Sequence, residues 1–116
     1  MKDGLNYSIM DQEGNKIVKL NGHISNVTKG EFEQLLYELI QKNNVIINME
    51  EVNILTSSGL NSLINICSDA RSRNKRVVLL RLQDDIIKMM KVMDVCDHFI
   101  FVESIEEGQM KIRHYT

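Results

Sequence analysis

Three hydroxyl side chains stand in a row at Thr56-Ser57-Ser58, followed by Gly59 and then by apolar residues at helical spacing from Leu60. The apolar run Val45-Ile46-Ile47 precedes them, so the segment reads as a strand, a loop and the start of a helix. Hydroxyls at a helix start have two uses. They cap it by accepting a bond from a first-turn amide, and Ser and Thr are preferred there. Alternatively they carry a phosphate or sit beside an anion, because first-turn N–H groups lack intrahelical acceptors and the dipole is positive at that end. On pattern alone, capping by Ser57 or Ser58 carries more weight.

Other chemistry finds no constellation. His23, His98 and His114 share no ligand spacing with one another or with Cys67 and Cys96, which leaves no zinc set. Gly59 belongs to no phosphate-cradling or dinucleotide glycine pattern, and no serine lies in a Gly-x-Ser-x-Gly elbow. Glu50-Glu51 and Asp84-Asp85 are chain neighbours, which rarely converge as an acid and a base; surface and helix-start roles explain them better. The expectation is no catalytic residue, no metal and no cofactor. Met89, Met90 and Met93 share one helix. Core packing is the commoner role of such a group, but adaptable methionines also suit a binding surface.

The elements that must position the hydroxyls follow from periodicity. Leu5, Tyr7 and Ile9 alternate with polar residues, as in a half-buried strand. Asp11 to Asn15 has turn chemistry, and Ile17-Val18-Lys19-Leu20 reads as the return strand of a hairpin. Thr28 and Glu31 have capping-box spacing before a helix whose stripe is Phe32, Leu35, Leu36, Leu39 and Ile40. Val45-Ile46-Ile47 and Val77-Val78-Leu79-Leu80 are short and mostly β-branched, as in strands covered on both faces.

The second helix starts near Ser57 and buries Leu60, Leu63, Ile64, Cys67 and Ala70, with Asn61, Ser62, Asn65, Ser68 and Asp69 facing away. Arg71, Arg73, Lys75 and Arg76 gather at its end; dipole complementation and solvation account for them more readily than a dedicated anion site. Asp84-Asp85 open a third helix with a stripe of Ile86, Met89, Met90 and Met93. Phe99 to Val102 is a last strand, and Ser104 with Glu107 is a second capping box opening a short final helix. The order β-β-α-β-α-β-α-β-α implies an α/β fold with a mostly parallel mixed sheet, an antiparallel N-terminal hairpin and helices packed on it.

The 116 residues suit one domain, 1–116, able to bury about two-thirds of its unfolded surface. A formal charge of −2, 5% aromatic content and no Trp argue against direct DNA binding, which draws on basic surface and stacking platforms. No apolar run is long enough for a membrane span. The start of the chain lacks the apolar stretch of a signal peptide, so a cytoplasmic protein with two reduced, buried thiols at Cys67 and Cys96 is expected.

The ordered set of Leu20-Asn21-Gly22, Val45-Ile46-Ile47-Asn48, Thr56-Ser57-Ser58-Gly59-Leu60 and Lys91-Val92-Met93-Asp94-Val95, spread over nearly the whole chain, resembles a STAS domain of the bacterial anti-sigma factor antagonist type. The resemblance implies a binding module rather than an enzyme. It implies partner switching with an anti-sigma factor that is also a serine kinase, and it makes Ser57 the phosphoacceptor. The hydroxyl cluster itself points to a partner surface around the second helix start, made by Thr56, Ser58, Gly59, Asn61 and Ser62, with Ser25, Met89 and Met90 nearby and small Gly59 allowing close approach. Weak self-association is compatible with this reading. Such antagonists usually have aspartates where this chain has Thr56, Ser25 and Asn48. Drift at polar positions and altered kinase regulation both fit those changes. The transport-class alternative is an accessory subunit bound to the ATPase of an ABC lipid transporter; a third is a scaffold or nucleotide-sensing domain.

Overall fold

The computed structural model describes residues 4–115. Two strands, β1 (Asn6–Gln12) and β2 (Asn15–Ile24), form the hairpin. They are joined by Glu13 and Gly14, both at positive φ, as a two-residue type I′ connection requires. Then come α1 (Lys29–Leu39), β3 (Val45–Leu55), α2 (Ser57–Ser72), β4 (Val77–Leu80), α3 (Asp84–Val92), a 3₁₀ turn at Cys96–His98, β5 (Ile100–Val102) and α4 (Ile105–Tyr115). The sheet runs β1-β2-β3-β4-β5; β1 pairs antiparallel and the other pairings are parallel. The expected fold class is therefore the observed one.

Two apolar layers flank the sheet. On one face α1, α2 and α3 set Phe32, Leu36, Leu63, Ile66, Ile86 and Met90 against Val18, Ile47 and Leu79. On the other, Ile112 of α4 covers Ile17, Ile46 and Val78. Consecutive residues of β3 and β4 thus point into different layers, and both runs are wholly buried. A buried polar clamp fastens α4 to the hairpin: the Asn15 amide donates to Gln109 Oε1, and Gln109 Nε2 donates to the Gln12 carbonyl at 3.0 Å.

Several sequence expectations are corrected. Tyr7 and Ile9 are exposed, not half-buried, because β1 is the sheet edge and the helices pack on β2 to β5. Thr28 caps nothing with its side chain. Its hydroxyl donates to the His23 carbonyl at 2.7 Å and accepts from the Ser25 amide at 2.9 Å, so the turn between β2 and α1 consumes it. At α4, Ser104 Oγ does accept from the Glu107 amide, at 3.0 Å. On α2 the buried face takes Ile66 fully and Ile64 only in part. Met93 lies exposed at the end of α3, and Cys96 is half-buried rather than buried.

The strand before the hydroxyls is longer than its apolar run. From Val45 to Leu55, burial after Ile47 recurs at every third residue, Met49, Val52 and Leu55, and not at every second. Two register shifts against β2 explain the spacing: Lys19 pairs Asn48 while Asn21 pairs Glu51, and Gly22 pairs Val52 while His23 pairs Ile54. Each is a bulge that adds one residue to β3. Gly22, at φ +121°, supplies the β2 side of the second, where a β-carbon would meet the Gly4 carbonyl at 2.8 Å. The bulges bring Leu55 level with Ile24, and that registration delivers Thr56 to the end of β2.

Candidate functional site

The Thr56 amide donates to the Ile24 carbonyl at 3.0 Å, so the turn out of β3 is tied to the last residue of β2. Thr56 keeps extended backbone, and its hydroxyl accepts from the Gly59 amide at 3.2 Å while its carbonyl accepts from Leu60 at 2.8 Å. Thr56 is thus the cap, and Ser57 and Ser58 are the first two helical residues. The capping role considered for the serines passes to the threonine before them. The first-turn amides of Ser57 and Ser58 have no intrahelical acceptor and sit at the positive end of a 16-residue helix.

The three hydroxyls differ in access. Ser57 is exposed, Ser58 is half-buried, and Thr56 is half-buried and engaged. Asn61, one turn along, is exposed. Ser25 follows Ile24 directly and is half-buried; its carbonyl accepts from the Thr28 and Lys29 amides, which starts α1. Ser25 and Thr56 therefore flank one peptide, and the ends of β2 and β3 bring them together.

Three expected contact residues lie elsewhere. Ser62 is buried, and its hydroxyl donates to Glu33 of α1 at 2.5 Å: it joins two helices instead of facing outward. Gly59 is buried against Ile24, so the close approach it permits is to this chain's own β2 and not to a partner. Met90 is 0% exposed in the core, because α3 turns that side of its stripe onto the sheet; Met89 is half-buried. Asn48 also lies apart from the hydroxyls. It accepts from the Glu50 amide at 3.0 Å and shares a hollow with Leu80, Arg81 and Ser104, with the rest of β3 between it and Thr56. Sequence reasoning passed over Val27, which is 83% exposed two residues beyond Ser25. Its signal is an apolar side chain set among Ser25, Asn26 and Thr28.

The STAS domain family pattern matches residues 6–108. The chain belongs to the STAS domain family. Among solved structures, an anti-sigma factor antagonist from Mycobacterium paratuberculosis superposes with a TM-score of 0.79 at 16% identity, covering 97% of this chain and 97% of that one. The anti-sigma factor antagonist SpoIIAA, in its unphosphorylated form, gives 0.75 at 15% identity over 94% of this chain and 97% of its own; it has also been solved phosphorylated. The murine anion transporter Solute Carrier 26 family member A9 gives 0.75 at 15% identity, with 90% of this STAS chain matching 18% of the transporter. At these identities the likeness is one of fold. No helix among the described residues is long and apolar enough to cross a membrane.

Proposed function

We propose that this STAS domain is a cytoplasmic partner-switching regulator of the anti-sigma factor antagonist kind. It binds a protein partner, an anti-sigma factor that is also a serine kinase, through the surface at the start of α2, and phosphorylation of Ser57 breaks the complex. The observation that carries the reading is the division of labour among the hydroxyls. Thr56 builds the helix start, and Ser57 is left exposed on the first turn. With Gly59, Ser62 and Met90 withdrawn into the fold, the contact surface comprises Ser57, the part-exposed Ser58 and Thr56, Asn61, Ser25 and Val27.

The chain acts as substrate and ligand. The Ser57 hydroxyl attacks the γ-phosphorus of ATP held by the kinase, its proton passes to a kinase base, and ADP leaves. The phosphoryl group adds about −1.5 to −2 charges. The fold tolerates them because first-turn amides and the dipole favour an anion at this end. A partner surface shaped for a neutral hydroxyl does not. The replacement of carboxylates by Thr56 and Ser25 makes the surroundings of Ser57 less repulsive to phosphate.

Incubation with a candidate kinase and ATP, followed by mass spectrometry, tests the reading. One phosphate is expected on Ser57 and none on a Ser57→Ala chain. Full phosphate on Ser57→Ala would overturn the acceptor. No phosphate from any candidate kinase, with a transporter ATPase co-purifying, would favour the accessory-subunit reading instead.

A further inference from the structure

A second feature lies at the other end of α2. There a cleft of about 380 Å³ opens between the last turns of α2, the start of β4, the 3₁₀ turn, β5 and the end of α4. At about 1.5 Å of rise per residue, Arg71 lies about 21 Å along the helix from Ser57, so this cleft and the hydroxyl surface are separate. The volume is at the small end of the range for small-molecule sites, about 300–1,000 Å³.

Two guanidinium groups line it, and both are held by neutral partners. Arg71 Nη1 donates to the His98 carbonyl at 3.2 Å. Arg76 lies over the Tyr115 ring, 5.6 Å from its centroid, and donates to the Lys75 carbonyl at 3.0 Å. Arg73, Arg81 and Arg113 each pair with a carboxylate, to Asp69, Glu50 and Glu13. Arg71 and Arg76 pair with none among the described residues, although Asp97 stands at the same cleft. The helix dipole accounts for Arg71, in the last turn, but not for Arg76, which lies beyond the helix on the approach to β4. Phe99 and Tyr115 supply aromatic wall.

We propose that this cleft binds a small planar organic anion, an aromatic ring bearing a carboxylate, sulfonate or phosphate. The two guanidinium groups take the anionic oxygens as charge-assisted donors already fixed in place. The ring lies against Phe99 and Tyr115, replacing water on apolar surface. Nothing in this assignment depends on the role given to Ser57.

Titration of the intact chain with 8-anilinonaphthalene-1-sulfonate tests it, beside N-phenyl-1-naphthylamine, which has the same rings and no charge. The sulfonate should bind saturably with one site per chain, and the neutral compound at least about tenfold more weakly. Arg71→Gln and Arg76→Gln should each weaken the sulfonate at least about fivefold, with unchanged melting temperature. Arg76→Lys, which keeps the charge and loses the fork, should fall between. In NMR the shifted amides should be those of Phe99, Ile100 and Tyr115. Equal affinity for the two compounds, undiminished sulfonate binding by a folded Arg71→Gln/Arg76→Gln chain, or shifts confined to other surfaces would overturn the assignment. If the double variant does not fold, the single variants and the NMR map decide.

Discussion

Gly59 packs directly on the backbone of Ile24. A β-carbon at residue 59 would press on the Ile24 carbonyl oxygen and come within 2.8 Å of Ile24 Cγ2. The same carbonyl receives the Thr56 amide. Making room for that carbon shifts α2 against β2 at the same carbonyl, so Gly59→Ala is expected to cost about 1–3 kcal/mol. Urea unfolding measures the loss. An unchanged midpoint would mean that the α2 start slides freely on β2.

The Thr56 cap makes a graded prediction. Thr56→Ala removes the acceptor for the Gly59 amide and should cost about 1 kcal/mol. Thr56→Asp keeps an acceptor and adds a favourable charge at the positive helix end, so stability should stay within about 0.5 kcal/mol of the parent. If Ser57 is the acceptor serine, the aspartate should alter phosphorylation rate far more than folding. Comparing denaturation midpoints with initial phosphorylation rates separates the two effects.

Ser62 and Ser57 should behave oppositely although both are serines on α2. Ser62→Ala removes the hydroxyl that joins α2 to the half-buried Glu33 carboxylate and is expected to destabilise by about 0.5–1.5 kcal/mol. Ser57→Ala, at an exposed position, should stay within about 0.5 kcal/mol. Partner affinity, read by calorimetry, should respond to Ser57→Glu and not to a conservative Ser62→Thr that retains the hydroxyl.

Cys67 lies on the buried face of α2 with its thiol pushed up to about 12 by burial, the Arg71 charge being the smaller, opposing influence. Reaction with iodoacetamide needs the thiolate, so at pH 8 the folded chain should be alkylated at half-buried Cys96 before Cys67. The shift also has a sign in stability. Above the ordinary thiol value of 9.0 the unfolded chain releases this proton while the folded chain holds it, so stability falls from about pH 9 toward about pH 12. The fall approaches about 1.4 kcal/mol per pH unit. Cys67→Ala should remove that component, which pH-dependent unfolding of the two chains in parallel would show.

What was legible in the sequence follows from which interactions are local. The runs Val45–Ile47 and Val77–Leu80 announce buried strands because no solvent-facing residue interrupts them. Residues 48–55 do not, because two bulges convert an alternation of two into a spacing of three, and bulges depend on the neighbouring strand. The hydroxyl cluster was visible as a helix start, but the choice of Thr56 as cap depends on Ile24, thirty-two residues away. Ser62 and Gly59 were misplaced for a related reason. A small or polar residue reads as surface until the packing of α1 on α2, or of α2 on β2, is known. Thr28 shows the reverse error, a local capping pattern overridden by the turn that precedes it.

The clamp between Asn15 and Gln109 has a consequence in time. Its partners lie 94 residues apart, and the amide and carbonyl groups it joins are buried near the hairpin turn. Until a ribosome has made Gln109, those groups have only water, and the α4 face of Ile17, Ile46 and Val78 lies open. The chain therefore cannot close its fold piecemeal from the start. The long-range contact that finishes the hairpin arrives with α4, and the sheet's second face stays unsealed and prone to association until that helix has been made and has docked.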